Sequence, residues 1–251
     1  MSGVQSFSRA MDILDCFTRR EPKLSLHDIT VRTGLPKSTA HRLLTALKQE
    51  RLIEQPKANG SYILGFKLFE LGSVVLDRLE LNRVGSPIMR RLQQSCGEAV
   101  HLCMFNGLQP VMIAQNQMVV DPPNEVTTLS SAPAYCTGVG KAILAFQDEA
   151  TIAGVIADGL ERFTPYTMTN EHQLRAELAA IKQRGYAIDD REHQIAVRCV
   201  AAPIRMPSGV VFAGISISTL AERLPADRVP PLAELVIGAA AHIEDKLKFR
   251  L

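Results

Sequence analysis

A pair of short helical segments joined by a tight turn constrains the fold of this chain more than any other feature. The second segment, Lys37–Leu47, follows a break at Thr33–Pro36 and begins with basic and hydroxyl side chains. Two short strand-like segments come next, separated by a turn signal at Asn59-Gly60. Two helices in this arrangement, followed by a β-hairpin, are typical of a winged helix-turn-helix, whose second helix enters the major groove of DNA. The segment therefore predicts a DNA-binding module.

The residues around these two helices fit the same module. Phe7–Phe17 repeats apolar side chains at helical spacing, which predicts a first helix packed on the other two. Ser25, with Asp28 three residues later, predicts a helix N-cap, and Gly34 suits a turn with a positive φ angle. A long amphipathic helix, Phe66–Arg83, follows the wing. We expect its apolar face to pack either on a twin helix in a dimer or on its own domain.

The second helix of the module is predicted to read DNA with its first two turns, while its later apolar residues face the core. Arg42 is suited to a bidentate contact with guanine O6 and N7, and the hydroxyls and helix N–H groups to phosphate oxygens. Alternatively, the helix-turn-helix binds another protein. The predicted DNA-contacting residues are Lys37, Ser38, Thr39, His41 and Arg42 on this helix, Lys57 and Asn59 on the wing, and Arg9 on the first helix.

The distribution of charge supports a division between two domains. Residues 1–65 carry ten Lys and Arg against six Asp and Glu, whereas the remainder carries eighteen against twenty. A basic module on a mildly acidic body is consistent with nucleic-acid binding by the first part alone. We predict a winged helix-turn-helix domain at 1–65, a linker and dimerisation helix at 66–84, and a ligand-sensing domain at 85–251, with Gly85–Pro87 breaking the helix.

The cysteines and the apolar runs indicate a cytoplasmic chain. The five cysteines are odd in number, widely spaced and without a CxxC pair, which is typical of reduced thiols. No apolar run approaches ~18 residues, and the N-terminus lacks the charged start and apolar middle of a signal peptide. We therefore expect a cytoplasmic protein without a membrane span.

Residues 85–251 alternate between strand and helix patterns and predict an α+β domain with a largely antiparallel sheet. Asn106-Gly107, between two strand patterns, is a hairpin signal. Helices are predicted at 87–95, 138–147, 149–158, 170–184 and 231–248, and strands at 98–105, 109–116, 186–190, 197–205 and 210–218.

Several polar residues of this domain are predicted to face one cavity that suits a small carboxylate. Thr137–Lys141 begins a helix whose free N–H groups attract an anion, and Ser216 and Ser218 share one face of a strand. Each residue also has a plain structural explanation: Cys199 can fill a core, and Asp189-Asp190 can close a turn. The candidate ligand-binding residues are Thr137, Gly138, Val139, Asp189, Asp190, Cys199, Ser216 and Ser218, with Met104 and Met112 as apolar lining.

The sequence offers little support for a catalytic or cofactor-binding role. Cys136 and Cys199 lack the surroundings of a nucleophile, although His101 and His193 are present as possible bases. The six His show no metal-ligand spacing, and Thr137–Lys141 lacks the GxxxxGK[ST] spacing of a phosphate-binding loop. We expect no enzyme activity, no metal and no cofactor.

Long segments of the chain resemble the IclR family of bacterial transcriptional regulators. The winged-helix domain of that family is similar to SFSRAMDILDCF, TGLPKSTAHRLLTALKQERLIE and GSYILGFKLFELG. The family's signature segment is similar to GYAIDDREHQIAVRCVAAPIRMPSGVVFAGISIS, with Gly185, Asp189, Glu192 and Cys199 at its spacings. The similarity covers nearly the whole chain.

The resemblance implies an effector domain related to GAF and PAS folds, and dimers, often paired into tetramers, on palindromic operators. It also implies that family members which bind small organic or aromatic acids do so with the residues found here as Gly138, Val139, Asp189 or Asp190, Cys199, Ser216 and Ser218. Tyr135 and Cys136 depart from the family, which has a His and a small residue there. Tyr135 is therefore a further candidate ligand-binding residue, because a ring that points inward changes the shape of the pocket and adds a hydrogen-bond donor.

We therefore hypothesise a DNA-binding transcriptional regulator that acts as a repressor and is modulated by a small acid. Its expected partners are double-stranded DNA, the acid and further copies of the chain, and no membrane. The alternatives are a ligand-responsive activator, or a DNA-binding protein with a vestigial or catalytic C-terminal domain.

Overall fold

The computed structural model describes residues 3–18, 21–56, 60–78, 80–116 and 131–248. The chain divides into two compact units, Met1–Arg78 and Leu79–Leu251. Within the described ranges, no helix is both long and apolar enough to cross a bilayer. The helices are α1 Gly3–Asp15, α2 Leu26–Thr33, α3 Lys37–Gln49, α4 Phe66–Arg78, α5 Glu80–Cys96, α6 Gly138–Leu144, α7 Glu149–Ala157, α8 Glu171–Arg184 and α9 Val229–Lys248. The strands are β1 Ile53–Glu54, β2 Ile63–Leu64, β3 Ala99–Phe105, β4 Pro110–Asn116, β5 Ala187–Asp190, β6 Val197–Arg205 and β7 Val211–Leu220.

The first unit contains the predicted winged helix-turn-helix. Ser25 caps α2: its Oγ accepts from the N–H of Asp28 at 3.2 Å, and the Asp28 carboxylate accepts from the N–H of Ser25 at 2.8 Å. Gly34 ends α2 at φ +66°, as the turn requires. The antiparallel pair β1 and β2 forms the wing. The three helices and the wing enclose one core of Ile13, Leu24, Ile29, Leu43, Leu44, Leu47, Ile53 and Tyr62.

The second unit is built on one antiparallel sheet in the order β4-β3-β7-β6-β5, which confirms the predicted α+β class. Because side chains alternate across a strand, every strand presents residues to both faces of this sheet. One face carries α6, since the Val139 side chain of α6 lies against Gly214 of β7. The other face carries α5 and α9, since Gly85 of α5 lies against Leu102 of β3.

The predicted helix break at Gly85–Pro87 is wrong, because both residues lie inside α5. A Cβ at Gly85 would lie 2.6 Å from Leu102 Cδ2, so this glycine permits close packing of the helix on β3. Burial of Leu81, Val84, Ile88 and other residues of the same helix face stabilises α5 through the proline. The predicted wing turn is only partly visible: Gly60 has φ +68°, while Asn59 lies outside the described residues.

Candidate functional site

The recognition helix α3 has one buried face and one polar face. Ala40, Leu43, Leu44 and Leu47 are buried in the core of the first unit. The opposite face exposes Ser38, His41 and Arg42, as predicted from the sequence, and it also exposes Thr45 and Gln49, which were not predicted.

Thr45 and Gln49 continue the helical spacing that begins at Ser38 and Arg42, so a longer helical wheel would have included them. Lys37 is exposed and Thr39 is half-buried at the start of the helix. The N-cap residue, Pro36, makes no side-chain hydrogen bond to the first turn, so no side chain competes there with a phosphate for the first N–H groups.

The remaining predicted DNA contacts are not on α3. Arg9 is half-buried on α1. Lys57 and Asn59 lie outside the described residues. The structure therefore brings together the predicted contacts on α3 and leaves those on the wing as predictions.

In the second unit, strand register gathers three predicted ligand-binding residues into one row. Asp189 of β5 lies opposite Cys199 of β6, which lies opposite Ser218 of β7. The Cys199 thiol donates to Ser218 Oγ at 3.2 Å. Ser216 lies two residues away on the same face of β7 and is 3% exposed. The predicted grouping of hydroxyls and a thiol is therefore present on the α6 face of the sheet.

The start of α6 lies directly over this row. A Cβ at Gly138 would lie 3.1 Å from Cys199 Cβ and 3.6 Å from Asp189 Cβ, so only a glycine fits without displacement. Thr137 caps the helix, accepting from the N–H of Gly140 at 3.2 Å and donating to the carbonyl of Pro133 at 2.8 Å. Because α6 has only seven residues, its dipole attracts an anion weakly.

Buried charges surround the row. Lys141 and Glu192 form an ion pair whose side chains are 1% and 7% exposed. Asp189 Oδ1 accepts from the N–H of Glu192 at 2.8 Å. Burial raises the pKa of Asp189 to about 7 and also raises the pKa of Glu192. Asp189 is therefore partly protonated near neutral pH, and in that form it can donate to a ligand oxygen.

Cys199 does not have the properties of a nucleophile. Burial raises the pKa of its thiol, and its position beside Asp189 raises it further. A reactive cysteine requires the opposite shift, since the thiolate is the nucleophile. Nor do the described residues bring three or more His, Cys, Asp or Glu side chains into a group suited to a metal ion.

Asp190 and Met104 do not join the row, because strand alternation directs each to the opposite face. The Asp190 carboxylate accepts from Arg198 Nη2 at 2.6 Å and from Arg191 Nε at 3.0 Å, so it is occupied in ion pairs. Met104 follows Leu102 by two residues and therefore shares its face, towards α5. Met112 pairs with Cys103 and lies on the α6 face, as predicted for a lining residue.

Tyr135 is directed towards a different part of the second unit. Its hydroxyl donates to the carbonyl of Glu161 at 2.8 Å, and burial raises its pKa to about 12. It lines a concavity of about 410 Å³ together with Val155, Leu160 and Phe163. This concavity includes none of Asp189, Cys199, Ser216 or Ser218. Tyr135 therefore lines a concavity that is separate from the row under α6.

Two further polar residues on the α6 face were not predicted from the sequence. His101 of β3 lies opposite Ser216, and Gln115 of β4 lies opposite His101, so these three side chains form a second row beside the first. From the sequence alone, His101 is only a possible catalytic base. The position of Gln115 depends on a β-bulge between Leu102 and Cys103, which sequence alternation does not reveal.

Comparisons with known proteins place both units in one family. The IclR helix-turn-helix domain matches residues 6–57, and the C-terminal domain of the bacterial transcriptional regulator IclR matches residues 73–245. The acetate operon repressor of Salmonella typhimurium is 32% identical over 243 residues, which cover 96% of this chain and 89% of that protein.

Solved structures agree with this result. An IclR-type regulator from a Silicibacter species has a TM-score of 0.85 at 23% identity, covering 96% of each chain, and thus shares the fold. An IclR homologue from Microbacterium hydrocarbonoxydans, crystallised in complex with 4-hydroxybenzoate, has a TM-score of 0.76 at 27% identity. That match covers 97% of this chain and 99% of the homologue.

Proposed function

The chain belongs to the IclR family of bacterial transcriptional regulators, and from that premise we propose that it is a repressor controlled by a small organic or aromatic acid. Members of the family are DNA-binding regulators of transcription and not enzymes. Repression is the sign we propose because the relatives include repressors such as the acetate operon repressor. An activator that responds to the same acid is the second candidate, and it differs only in the sign of the response.

The DNA-binding half of the proposal rests on the exposed face of α3. Ser38 and the first N–H groups are suited to phosphate oxygens, and Arg42 reaches base edges from the same face. Thr45 and Gln49 extend this face to the end of the helix. The buried leucines on the other side hold the helix in a fixed orientation, which sequence-specific contacts require.

The ligand-binding half rests on the row Asp189–Cys199–Ser218 under α6, the observation that carries the proposal most directly. The hydroxyls of Ser216 and Ser218, the N–H groups of Gly138 and Val139, and a protonated Asp189 can donate to a carboxylate. Met112 and the Val139 side chain supply apolar surface for the body of the acid. The Microbacterium homologue crystallised with 4-hydroxybenzoate supports an acid of this class.

We propose that the regulator acts as a homodimer or a dimer of dimers in the cytoplasm, where bacterial operators are found, and without a cofactor. Five large apolar side chains of α4, from Phe66 to Val75, are 51% to 61% exposed, which is unfavourable unless another surface covers them. Ligand binding then shifts the population between states that fit or fail to fit two half-sites.

The first test is a thermal-shift screen of the full chain against small mono- and dicarboxylates and hydroxylated aromatic acids. An acid present at 100 times its Kd should stabilise the protein by about 2.7 kcal/mol. The effect of a stabilising acid on binding to a DNA duplex selected from a random pool then distinguishes repressor from activator. If no acid shifts the unfolding transition, the ligand-binding half of the proposal fails.

A substitution at Cys199 tests whether an acid found in the thermal-shift screen binds at the row under α6. Cys199→Leu fills the space beside Ser218 and removes the thiol donor, so we expect it to abolish the response to the acid and to leave acid-free DNA binding intact. Cys96→Leu, the same change at a half-buried position at the end of α5, is the matched control. A Cys199→Leu protein that responds at the original acid concentration would make Cys199 a core residue only.

A further inference from the structure

The start of α4 is joined to the end of the recognition helix α3 by direct backbone contact. The N–H of Gly65 donates to the carbonyl of Leu52 at 2.8 Å, and α4 begins at the next residue, Phe66. A Cβ at Gly65 would lie 2.1 Å from the carbonyl oxygen of Arg51, so only a glycine permits this approach. Glu54 Oε1 accepts from the N–H of Phe66 at 3.1 Å and caps the new helix. The two helices are therefore adjacent in space, although the wing separates them in the sequence.

An ion pair adds a second connection between the same two elements. The Glu70 carboxylate of α4 accepts from Arg51 Nη2 at 2.9 Å and from Lys67 Nζ at 3.2 Å. These groups are partly exposed, and such pairs contribute little to the stability of a fold. Their effect here is on direction: Arg51 is held to α4 both at its carbonyl oxygen and at its guanidinium, which fixes the angle between α3 and α4.

The backbone of Arg51 is strained for an arginine. Its φ is +61°, a conformation that is unfavourable for a side chain with a Cβ. The N–H of Arg51 donates to the carbonyl of Lys48 at 3.0 Å, and the N–H of Leu52 to the carbonyl of Leu47 at 2.9 Å. This is the Schellman pattern that ends a helix, in which glycine is usual at the position of Arg51. A glycine would relieve the strain, but it would lose the guanidinium that reaches Glu70.

A fixed angle between α3 and α4 has a consequence for a dimer that reads two half-sites. If two copies join through α4, the distance of each α3 from the two-fold axis is set by the junction between these helices. Inserting two base pairs between the half-sites moves one of them by about 7 Å along the duplex and rotates it by about 70°. A stiff junction cannot follow such a change, whereas a loose one can.

We propose that Arg51 and Glu70 are positioning residues that determine which separation of two half-sites the regulator accepts. They act through the orientation of α3 and not through a contact of their own with DNA. The proposal rests on the proposed function, because it requires a homodimer joined through α4. It adds a specificity for spacing that is separate from the base contacts of α3.

Fluorescence anisotropy of the full chain with a set of related duplexes tests this role. One duplex is selected from a random pool with the natural protein, and in two others two base pairs are inserted or removed between the half-sites. The natural protein should bind the altered duplexes about 100-fold more weakly, because it cannot engage both half-sites at once. The quantity compared between variants is this ratio of affinities, which a smaller fraction of folded protein does not change.

Arg51→Gly separates the positioning role from a structural one. The variant loses both the ion pair and the backbone strain, so it should unfold at the same temperature as the natural protein or a higher one. Its penalty for altered spacing should nevertheless fall to about tenfold, since α4 is then free to tilt relative to α3. Arg191→Gly is the matched control, because Arg191 also has a positive φ, +63°, and an ion pair, with Asp190 in the second unit. It should retain the full penalty.

Glu70→Gln gives a second test that leaves Arg51 and its charge in place. It should lower the spacing penalty as Arg51→Gly does, because the guanidinium loses its partner on α4. A penalty that stays at the natural value in either variant would overturn the inference. If the natural protein is a dimer that binds all three duplexes equally, the inference fails and the proposed function stands. If the natural protein binds a single half-site as a monomer, the proposed homodimer fails as well.

Discussion

Asp189 belongs to a group of three buried charged side chains, and the other two, Lys141 and Glu192, neutralise each other. Its carboxylate accepts a hydrogen bond from the N–H of Glu192, and no Lys, Arg or His among the described residues forms an ion pair with it. Burial therefore dominates and raises the pKa to about 7, against 3.8 for an exposed aspartate. The presence of Lys141 in a seven-residue helix gave no indication of this arrangement, because its partner is 51 residues away in the sequence.

This shift makes stability depend on pH in a defined direction. Between about pH 4 and pH 7 the native state holds a proton on Asp189 that the unfolded state releases, so the contribution to stability is lost as the pH rises through this window. Asp189→Asn cannot titrate, so its unfolding temperature should rise relative to the natural protein as the pH increases from 5 to 8. Differential scanning calorimetry at several pH values measures the difference.

Glu192, whose pKa is raised too, titrates in both proteins, so the part of its pH dependence that does not depend on Asp189 cancels in the comparison. Asp158→Asn makes the same change at an exposed position and serves as the control. Parallel stability curves for Asp189→Asn and the natural protein across this pH range would show that Asp189 is ionised throughout.

At the scale of single elements, two glycines in neighbouring helices should respond oppositely to the same substitution. A Cβ at Gly140 of α6 would lie 2.5 Å from both the Ala134 carbonyl oxygen and Thr137 Oγ1, whereas a Cβ at Gly154 of α7 meets nothing within 4 Å. Gly140→Ala should therefore destabilise the second unit by about 1–3 kcal/mol. Gly154→Ala should stabilise it by about 0.5–1 kcal/mol, because glycine is unfavourable inside a helix.

Chemical denaturation of both variants, followed by circular dichroism, gives the two free energies of unfolding. The sign of the Gly140→Ala effect is the decisive quantity. A neutral Gly140→Ala variant would mean that the Pro133–Thr137 segment moves aside easily, and that the packing around the start of α6 is loose.

The prediction for the recognition helix α3 concerns its affinity for DNA and not the stability of the fold. Arg42 is exposed, so Arg42→Ala should leave the fold unchanged and should cost about 1–3 kcal/mol of binding to a selected duplex if the guanidinium contacts a base pair. Fluorescence anisotropy at fixed salt measures this loss. Arg91→Ala removes the same charge from an exposed position of α5 and should have little effect. An equal loss on selected and random DNA would reassign Arg42 to a phosphate contact.

Local chemistry explains which elements could be predicted from the sequence. The cap at Ser25, the positive φ at Gly34 and the hairpin at Asn106-Gly107 each depend on a few adjacent residues, and the structure confirms them. The helix through Gly85–Pro87 could not be predicted, because packing against β3 outweighs the local preference of both residues.

The candidate site could be predicted only in part, because the sequence shows local alternation along a strand but not the pairing of distant strands. The serines of β7 and Cys199 share a face through plain alternation, which the sequence reveals. Asp190, Met104 and Gln115 needed the strand register and the position of one bulge, and both depend on pairing between distant segments.

At the scale of the whole molecule, α4 is the element whose surroundings are incomplete in a single chain. Phe66, Phe69, Leu71, Val74 and Val75 are 51% to 61% exposed and point around most of the helix circumference. Exposed apolar surface of this extent normally marks an interaction site, and reading two half-sites requires a two-fold partner. A second copy of the chain, which buries the same helix twice in one isologous interface, meets both requirements.

We therefore expect Val75→Glu to reduce the oligomer, because each two-fold interface would bury two carboxylates without partners. Sedimentation velocity of the full chain should show a species of half the natural mass. Leu108→Glu, at an exposed apolar position of the β3–β4 hairpin, should retain the natural mass. The smaller species should also lose most of its affinity for a two-half-site duplex while binding an isolated half-site as before, since each α3 is intact and only the link between them is broken. A Val75→Glu protein with unchanged mass would place the interface elsewhere and leave the exposed side chains of α4 to another partner.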